Sequence, residues 1–186
     1  MNALAQMDPR QQVTARTSGP AVGPAQYLTF MLGGEIFAIG ILAIKEIIEY
    51  GGVTEVPLMP GYIRGVINLR GAVVPVMDLA ARFGKVASLV TKRSCIVIVE
   101  MLTRDEQQVI GVIVDAVNAV VEIAAAEIEP APSFGARIPS DFIEGMGKIN
   151  GRFIILLNVN RVLSSEEMDA LGAVGAPTAA VMPDAN

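Results

Sequence analysis

Short apolar runs alternate with polar turns along most of this chain. The runs are rich in β-branched residues and are separated by glycine and proline, as in QYLTFML, EIFAIGI, RGVINLR, AVVPVM, RSCIVIV, QQVIGVIVD and RFIILLNV. Runs of this composition favour strands, and long helical periods are absent. The pattern therefore predicts an all-β chain with short helical connectors.

The connectors carry recognisable turn and cap signals. Gly33 and Gly34 stand between two strand-like runs, which predicts a hairpin, and residues 103–108 read as a polar loop between two more strands. The segment DLAARFG is predicted to be a short helix with Asp78 as N-cap. A second helix is predicted for SSEEMDALG, with Ser164 as N-cap and Glu167 at the capping-box position.

Two parts of the chain resemble each other. At an offset of 80 residues, Ile63, Gly65 and Gly71 match Ile143, Gly145 and Gly151, and Asp78 falls on Asn158; at an offset of 73, Ala43 falls on Ala116 and Glu49 on Glu122. A repeat of this length indicates two similar small β units. Because closure removes exposed strand edges, short strands without helical crossovers favour a pair of small barrels.

The chain divides into a central domain and two tails. Residues 1–25 and 172–186 have no apolar period, so we predict a disordered N-terminal tail and a flexible C-terminal tail. Residues 26–171 should form one domain of two barrel subdomains. The first is placed at about 26–85 with a returning C-terminal segment, and the second at about 90–160.

Composition narrows the possible functions. The chain has a net charge of -5 and therefore lacks the excess of basic residues that binding to nucleic acid or to an anionic membrane requires. It has no histidine, which removes histidine-based nucleophile pairs, general bases, metal sites and phosphorelays. We predict no catalytic residue, metal or cofactor, although an enzyme using carboxylates, or a small-ligand binder, remains an alternative.

The only cysteine, Cys95, lies among apolar residues and is predicted to be buried and inert. A single buried thiol fits a reducing compartment, so a cytoplasmic location is expected.

The repeat also identifies two charged residues whose counterparts in the other half of the chain are uncharged. Arg70 corresponds to Asn150, and Glu46 corresponds to Ala119, so neither charge is needed by the shared fold. Strand alternation in VINLRG places Arg70 outward at a strand end. It could be solvated, paired with a carboxylate, or bound to another molecule.

The segment ILAIKEIIEY raises the same question for Glu46. Ile44, Ile47 and Ile48 are candidates for the core, whereas Glu46 and its charged neighbours Lys45 and Glu49 should face water. If Glu46 and Arg70 converge near Ile44, they would frame an apolar patch with opposite charges, which suits docking of an amphipathic helix.

Phe134 lies in the proline-interrupted connector EIEPAPSFGARIP. An aromatic residue in such a loop is either an anchor to its own domain or a contact for a partner.

Taken in order, EIFAIGILAIKEI, VTEVPLMPGYIRGVINLRGAVVPVMDL, VIGVIVDAVNAVVEI, EIEPAPSF, FIEGMGKINGRFIILLNV and SSEEMDAL resemble the bacterial chemotaxis coupling protein (CheW) family from about Gln26 to Leu171. The resemblance implies two SH3-like five-stranded barrels packed together. It also implies a non-enzymatic adaptor that couples the cytoplasmic helical hairpins of chemoreceptors to the CheA histidine kinase. An adaptor of the same fold for a different motility or signalling histidine kinase is the alternative.

The resemblance also implies roles for individual residues. Receptor binding falls on Ile44, Glu46, Gly65 and Arg70, and the interface with the kinase regulatory domain and with other coupling-protein copies in rings falls on Phe134. The chain departs from the family beside this aromatic, since Glu129 precedes PAPSF where members carry a basic residue and Ser133 stands at an acidic position. The implied location is cytoplasmic, with recruitment to membrane-associated receptor arrays.

Overall fold

The structure, a computed structural model, describes residues 24–103, 106–131, 138–163 and 167. It contains eleven strands, two short α-helices and three single-turn 3-10 helices in this part of the chain. The strands are β1 (Ala25–Leu32), β2 (Glu35–Gly40), β3 (Ile44–Glu49), β4 (Ile63–Leu69), β5 (Ala72–Asp78), β6 (Cys95–Thr103), β7 (Glu106–Val114), β8 (Ala116–Ile123), β9 (Ile128–Glu129), β10 (Ile143–Ile149) and β11 (Arg152–Leu157). The helices are α1 (Leu79–Arg82) and α2 (Val159–Val162). The predicted all-β class is confirmed.

The strands form two sheets with the same topology. The first sheet has the order β3-β6-β7-β5-β4, and the second has the order β8-β1-β2-β11-β10-β9. In the first, the chain leaving β3 reaches Thr54, which bridges to Val66 on β4 at the other edge. In the second, the chain leaving β8 pairs with β10 through β9. Each sheet therefore curls until its edges are spanned by a few residues, as the predicted pair of SH3-like barrels requires.

The internal repeat is visible in the register of the strands. Hairpin β4-β5 has an irregularity between Ile63 and Gly65, and hairpin β10-β11 has the same irregularity between Ile143 and Gly145. Each second strand leads into a short helix capped by the side chain of the preceding residue, Asp78 or Asn158. The offset of 80 residues thus reflects two copies of one structural unit.

The sheets divide the chain differently from the predicted subdomains at about 26–85 and 90–160. Hairpin β1-β2 pairs with β8 and β11 and so belongs to the second sheet, whereas β6 and β7 belong to the first. The first barrel is built from residues 44–114, and the second from residues 25–40 and 116–157. The division follows strand pairing between distant segments, which local sequence pattern does not encode.

One large apolar core joins the two sheets. It includes Phe30 and Phe37 of the second sheet and Val97, Val99 and Met101 of the first. Two smaller cores fill the barrel interiors. Because β6 alternates its side chains between the shared core and its own barrel core, both faces of this strand are buried.

A row of aromatic rings runs through the shared core. Phe30 lies 6.1 Å from Phe37, Phe37 lies 5.8 Å from Phe83, and Phe83 lies 5.9 Å from Phe142, measured between ring centroids. These spacings are within the range of favourable ring contacts. The row connects β1 and β2 to the segment after α1, so it links the two barrels.

The predicted connectors are partly confirmed. Gly33 and Gly34 have positive φ angles and join Leu32 to Glu35 in a two-residue hairpin. The residues of the second predicted helix lie outside the described part, apart from Glu167. The Glu167 carboxylate accepts hydrogen bonds from Arg82 and from the Tyr62 hydroxyl, both at 3.1 Å. Burial, together with the charge of Glu167, raises the pKa of Tyr62.

Both predicted tails lie outside the described residues. Cys95 is half-buried rather than buried, because it opens β6, and Ser94 takes the buried position before it. No helix among the described residues is long and apolar enough to cross a bilayer.

Candidate protein-docking surface

Arg70 lies in a two-residue turn between β4 and β5. Leu69 pairs with Ala72, so Arg70 and Gly71 form the turn, with φ angles of 52° and 85°. The Asn68 side chain accepts a hydrogen bond from the Gly71 N–H at 2.8 Å and supports this conformation. A turn with two positive φ angles favours Asn-Gly, because most side chains are strained there.

The equivalent turn in the second barrel has the favoured sequence. Asn150 and Gly151 occupy it with φ angles of 50° and 77°. The same backbone conformation is therefore held by the expected residue in one barrel and by an arginine in the other. Conformational preference does not explain Arg70, which points to a role for its side chain.

The Arg70 side chain reaches Glu46 on β3. Its Nη2 donates a hydrogen bond to Glu46 Oε2 at 2.6 Å; the arginine side chain is 77% exposed and the glutamate side chain 23%. Of the three possible environments for Arg70, the structure combines solvent with a carboxylate. The Glu46 Oε1 atom is buried and has no hydrogen-bond partner among the described residues. Arg70 thus supplies the charge interaction that offsets part of the burial of this carboxylate.

The predicted orientation of β3 is wrong at two residues. Glu46 is half-buried, whereas Ile47 is 42% exposed. Burial along β3 alternates strictly, because Ile44, Glu46 and Ile48 are half-buried and Lys45, Ile47 and Glu49 are exposed. Period-two alternation counted from Ile44 therefore turns Glu46 inward and Ile47 toward solvent, even though the pairing with β6 shifts register between Ile44 and Glu46.

Exposed apolar residues stand close to the charged pair in the sequence. Ile47 on β3 and Val73 on β5 are both exposed, and Ile44 is half-buried against the shared core. At the equivalent positions of the second barrel, Val120 and Phe153 are exposed in the same way. Both barrels therefore present apolar groups at this place, but only the first carries the charged pair.

Gly65 lies beneath the segment that closes the first barrel. A side chain here would overlap the backbone carbonyl of Thr54. Gly145 has the equivalent position, where an added Cβ would lie 2.7 Å from the Ile128 side chain and 2.9 Å from the Glu129 carbonyl oxygen. The geometry assigns both glycines to barrel closure, and Gly65 has no side chain to offer a partner.

A cleft of about 510 Å³ opens beside the segment that precedes β3. Residues Ile41–Ala43, which lead directly into β3, form one wall, and residues 157–160 form another. Leu42 on its rim is 99% exposed. Sequence reasoning missed Leu42, although its place in an uninterrupted apolar run next to a charged strand is a usable signal. Burial, together with the charge of Glu144, raises the pKa of Tyr27, which also lines the cleft.

Phe134 lies outside the described residues, so its predicted role is not placed in the structure. Within the described ranges, no group of three carboxylates or thiols could hold a metal ion. What the first barrel offers is an exposed guanidinium held by a carboxylate. Together with the exposed Ile47 and Val73, this composition is suited to recognition of another protein.

Comparison with known proteins gives one consistent result. The family profile described as CheW-like domain matches residues 26–167. The chemotaxis protein CheW of Klebsiella aerogenes is 34% identical over 154 residues, which cover 83% of this chain and 90% of that protein. The chemotaxis protein CheW of Rhizobium meliloti is 35% identical over 148 residues, which cover 80% of this chain and 93% of that protein.

A solved structure is similar as well. The crystal structure of the scaffolding protein TtCheW from Thermoanaerobacter tengcongensis matches with a TM-score of 0.70 and 35% identity, covering 78% of this chain and 92% of that one.

Proposed function

The chain belongs to the CheW-like domain family, and from that premise we propose that it is a non-enzymatic chemotaxis adaptor that couples chemoreceptor signalling tips to a CheA-type histidine kinase. Family membership supports a scaffolding role in chemotaxis. The proposal adds the two partners and places receptor binding on the first barrel. Its location would be cytoplasmic, with recruitment to membrane-associated receptor arrays.

The observation that carries the proposal is the Arg70–Glu46 pair. Arg70 occupies a turn position that favours asparagine, and Asn150 fills the equivalent position in the second barrel. Glu46 holds the guanidinium of Arg70 at the surface without covering it. An arginine fixed in this way loses less conformational freedom when it binds a carboxylate or a carbonyl group.

In this mechanism the helical hairpin of a receptor lays an apolar ridge against the first barrel. Ile44 and the exposed Ile47 provide apolar contact, and Arg70 fixes the register of the helices through charge-assisted hydrogen bonds. Gly65 contributes by allowing the closing segment to cross β4, which shapes the surface.

The kinase regulatory domain would bind a second surface, on the second barrel. The loop around Phe134 would contact the kinase domain or another copy of the adaptor in a ring. Binding both partners at once makes the second association effectively intramolecular, so modest individual affinities suffice for a stable array. A signal passes when the receptor states bind the assembly with different affinities.

Reconstitution with the chemoreceptors and CheA-type kinase of the same organism tests the proposal. We expect Arg70→Glu to weaken receptor binding at least about tenfold and to abolish receptor-dependent kinase activation, because a like charge then faces Glu46 and the partner. Kinase binding measured without receptor should not change. The double variant Arg70→Glu/Glu46→Arg should keep the fold while presenting the opposite polarity.

Asn150→Glu is the matched control, since it places the same charge in the equivalent turn of the second barrel. It should leave receptor binding unchanged. Normal receptor coupling by a folded Arg70→Glu protein would refute the receptor role. Phe134→Ser should leave the three-protein complex intact but reduce higher-order arrays in electron micrographs; arrays of normal size would exclude the ring contact.

A further inference from the structure

Arg82 lies where the two repeats of the chain meet. At the offset of 80 residues, helix α1 is equivalent to helix α2, Tyr62 is equivalent to Phe142, and Arg82 is equivalent to Val162. In each repeat the backbone N–H of the residue that caps the helix donates to the carbonyl oxygen of the aromatic residue, at 2.7 Å for Tyr62 and 2.8 Å for Phe142. Each repeat therefore contributes one aromatic residue and one short helix to the same arrangement.

The Arg82 side chain contacts both repeats. Its guanidinium carbon lies 4.7 Å from the centroid of the Tyr62 ring and 5.1 Å from the centroid of the Phe142 ring. Its Nε donates a hydrogen bond to the Val162 carbonyl oxygen at 2.8 Å. The side chain is only 19% exposed, so these contacts are made with little competition from water. One cation is thus shared by an aromatic ring from each barrel and is bonded to the backbone of α2.

Glu167 completes this arrangement. Its carboxylate accepts hydrogen bonds from Arg82 Nη2 and from the Tyr62 hydroxyl, both at 3.1 Å. Because Tyr62 belongs to the first barrel and Glu167 follows α2 in the chain, these bonds join the segment beyond the second barrel to the first barrel. We call Arg82, Tyr62, Phe142, Val162 and Glu167 the inter-barrel clasp.

The repeat shows that the shared fold does not require a charge in the inter-barrel clasp. Val162, at the position equivalent to Arg82, is 3% exposed and packs in the shared apolar core. Contacts within an apolar core are non-directional, whereas a planar guanidinium donates hydrogen bonds in fixed directions. A charged group that is largely removed from water also needs its partners in place. The inter-barrel clasp therefore favours one relative orientation of the barrels, which the apolar core alone would specify less sharply.

We propose that Arg82 is a positioning residue that fixes the orientation of the first barrel relative to the second. The consequence for signalling rests on the proposed function, in which the first barrel binds the receptor through Arg70 and the second barrel binds the kinase. Two partners engage one adaptor at the same time only if its two surfaces are held in a suitable geometry. Loss of the inter-barrel clasp should then leave each binding surface intact and disturb their combined action.

Distance measurements between spin labels test the orientation in the purified full chain, without receptor or kinase. Val73 and Phe153 are exposed, equivalent in the repeat and located on different barrels. The labels are therefore attached through Val73→Cys and Phe153→Cys in a Cys95→Ser background. We expect one narrow distance distribution when Arg82 is present. Arg82→Met should at least about double the width of this distribution, because further orientations become populated.

Arg64→Met is the matched control. Arg64 is also a partly buried arginine with a carboxylate partner, but it binds Asp78 at 2.7 Å and the Ser88 carbonyl oxygen at 3.1 Å, both within the segment that builds the first barrel. Its loss should lower the stability of the protein and leave the distance distribution unchanged. Arg82→Lys keeps the charge but not the planar geometry of the guanidinium. It should widen the distribution less than Arg82→Met does, and it keeps the inference testable if Arg82→Met does not fold.

Reconstitution with receptor and kinase tests the consequence for signalling. Arg82→Met should bind each partner alone with unchanged affinity, while receptor-dependent kinase activation should fall at least about fivefold. A narrow distance distribution in folded Arg82→Met overturns the inference, and so does a broad distribution in the protein with Arg82 or in Arg64→Met. Normal activation by a variant with a broad distribution refutes the consequence for signalling. If the protein with Arg82 itself fails to couple receptor and kinase, the proposed function is refuted instead, and the distance measurement still decides the role of Arg82.

Discussion

At the scale of single residues, positions 70 and 150 have the same backbone conformation but different side chains. The turn at residues 70–71 and the turn at residues 150–151 have the same geometry, yet one carries arginine and the other asparagine. A left-handed conformation costs about 1–2 kcal/mol for most L-residues and less for asparagine. Arginine at position 70 therefore lowers the stability of the protein, and its ion pair with Glu46 offsets part of this loss.

This trade-off predicts an order of stability among variants of Arg70. The free energy of unfolding of Arg70→Asn should be about 1 kcal/mol higher than that of Arg70→Ala. Both variants lack the ion pair, but only asparagine suits the turn. Urea denaturation measures the difference. Both should lose receptor coupling equally. If Arg70→Ala proved the more stable of the two, the strained-turn explanation would fail.

Gly65 supports a second prediction at this scale. Gly65→Ala should lower the free energy of unfolding by at least about 2 kcal/mol, because the new methyl group would displace the Thr54 segment that closes the barrel. Gly145→Ala should also destabilise the fold for the same reason. The control is Gly61→Ala, where nothing lies within 4 Å of the added Cβ. A weak effect at Gly65, equal to that at Gly61, would leave its proposed role in receptor binding without a structural basis.

At the scale of elements, Asp78 and Asn158 cap equivalent helices, but the side chain of Asp78 makes more hydrogen bonds. The Asp78 side chain accepts a hydrogen bond from the Ala81 N–H at 3.2 Å, which caps α1, and also binds Arg64 and Ser88. Asn158 accepts one from the Asn160 N–H at 3.1 Å. Burial alone would lower the pKa of Arg64, but the hydrogen bonds and charges of Asp78 and Tyr50 together outweigh burial and raise that pKa.

The difference between these caps is measurable. Asn158→Ala should cost about 1 kcal/mol, the usual value of a helix cap. Asp78→Ala should cost about 3 kcal/mol, because it removes a cap and also leaves the partly buried Arg64 without its counter-charge. Chemical denaturation of the two variants gives both values, and hydrogen exchange of the amides between α1 and β6 should increase only in Asp78→Ala. Equal losses would show that the Arg64 and Ser88 contacts add nothing.

At the scale of the whole molecule, the barrels are interdependent. The second barrel takes its hairpin β1-β2 from before the first barrel in the chain, and the largest apolar core is shared between the sheets. Neither barrel can expose its side of this core to water without a large hydrophobic cost. The two barrels should therefore behave as one folding unit despite their internal repeat.

Calorimetry provides the test of this interdependence. We expect one transition with a calorimetric enthalpy equal to the van't Hoff enthalpy, the signature of two-state unfolding. Phe37→Ala, at a fully buried ring of the shared core, should lower the free energy of unfolding by about 3–5 kcal/mol. The protein should still unfold in a single transition. The exposed-site control Val86→Ala should have little effect. Two resolved transitions, with Phe37→Ala moving only one, would show that the barrels fold separately.

Much of this architecture follows from short-range chemistry. The Gly33-Gly34 hairpin, the Asp78 cap, the outward position of Arg70 and the duplicated β unit were all predicted from local pattern, and the structure confirms them. These features depend on the conformational range of glycine, on side-chain hydrogen bonds to nearby backbone and on strand alternation. All of these operate within a few residues.

Other features were decided by pairing between distant segments. The exchange of hairpins between the sheets and the 2.6 Å contact between Glu46 and Arg70 depend on which strands become neighbours. This ion pair joins residues that lie 24 positions apart in the sequence. Local chemistry thus determined the repeating unit and its turns. Tertiary pairing placed the charged pair on the surface of one barrel, because only the folded sheet brings β3 beside the turn that follows β4.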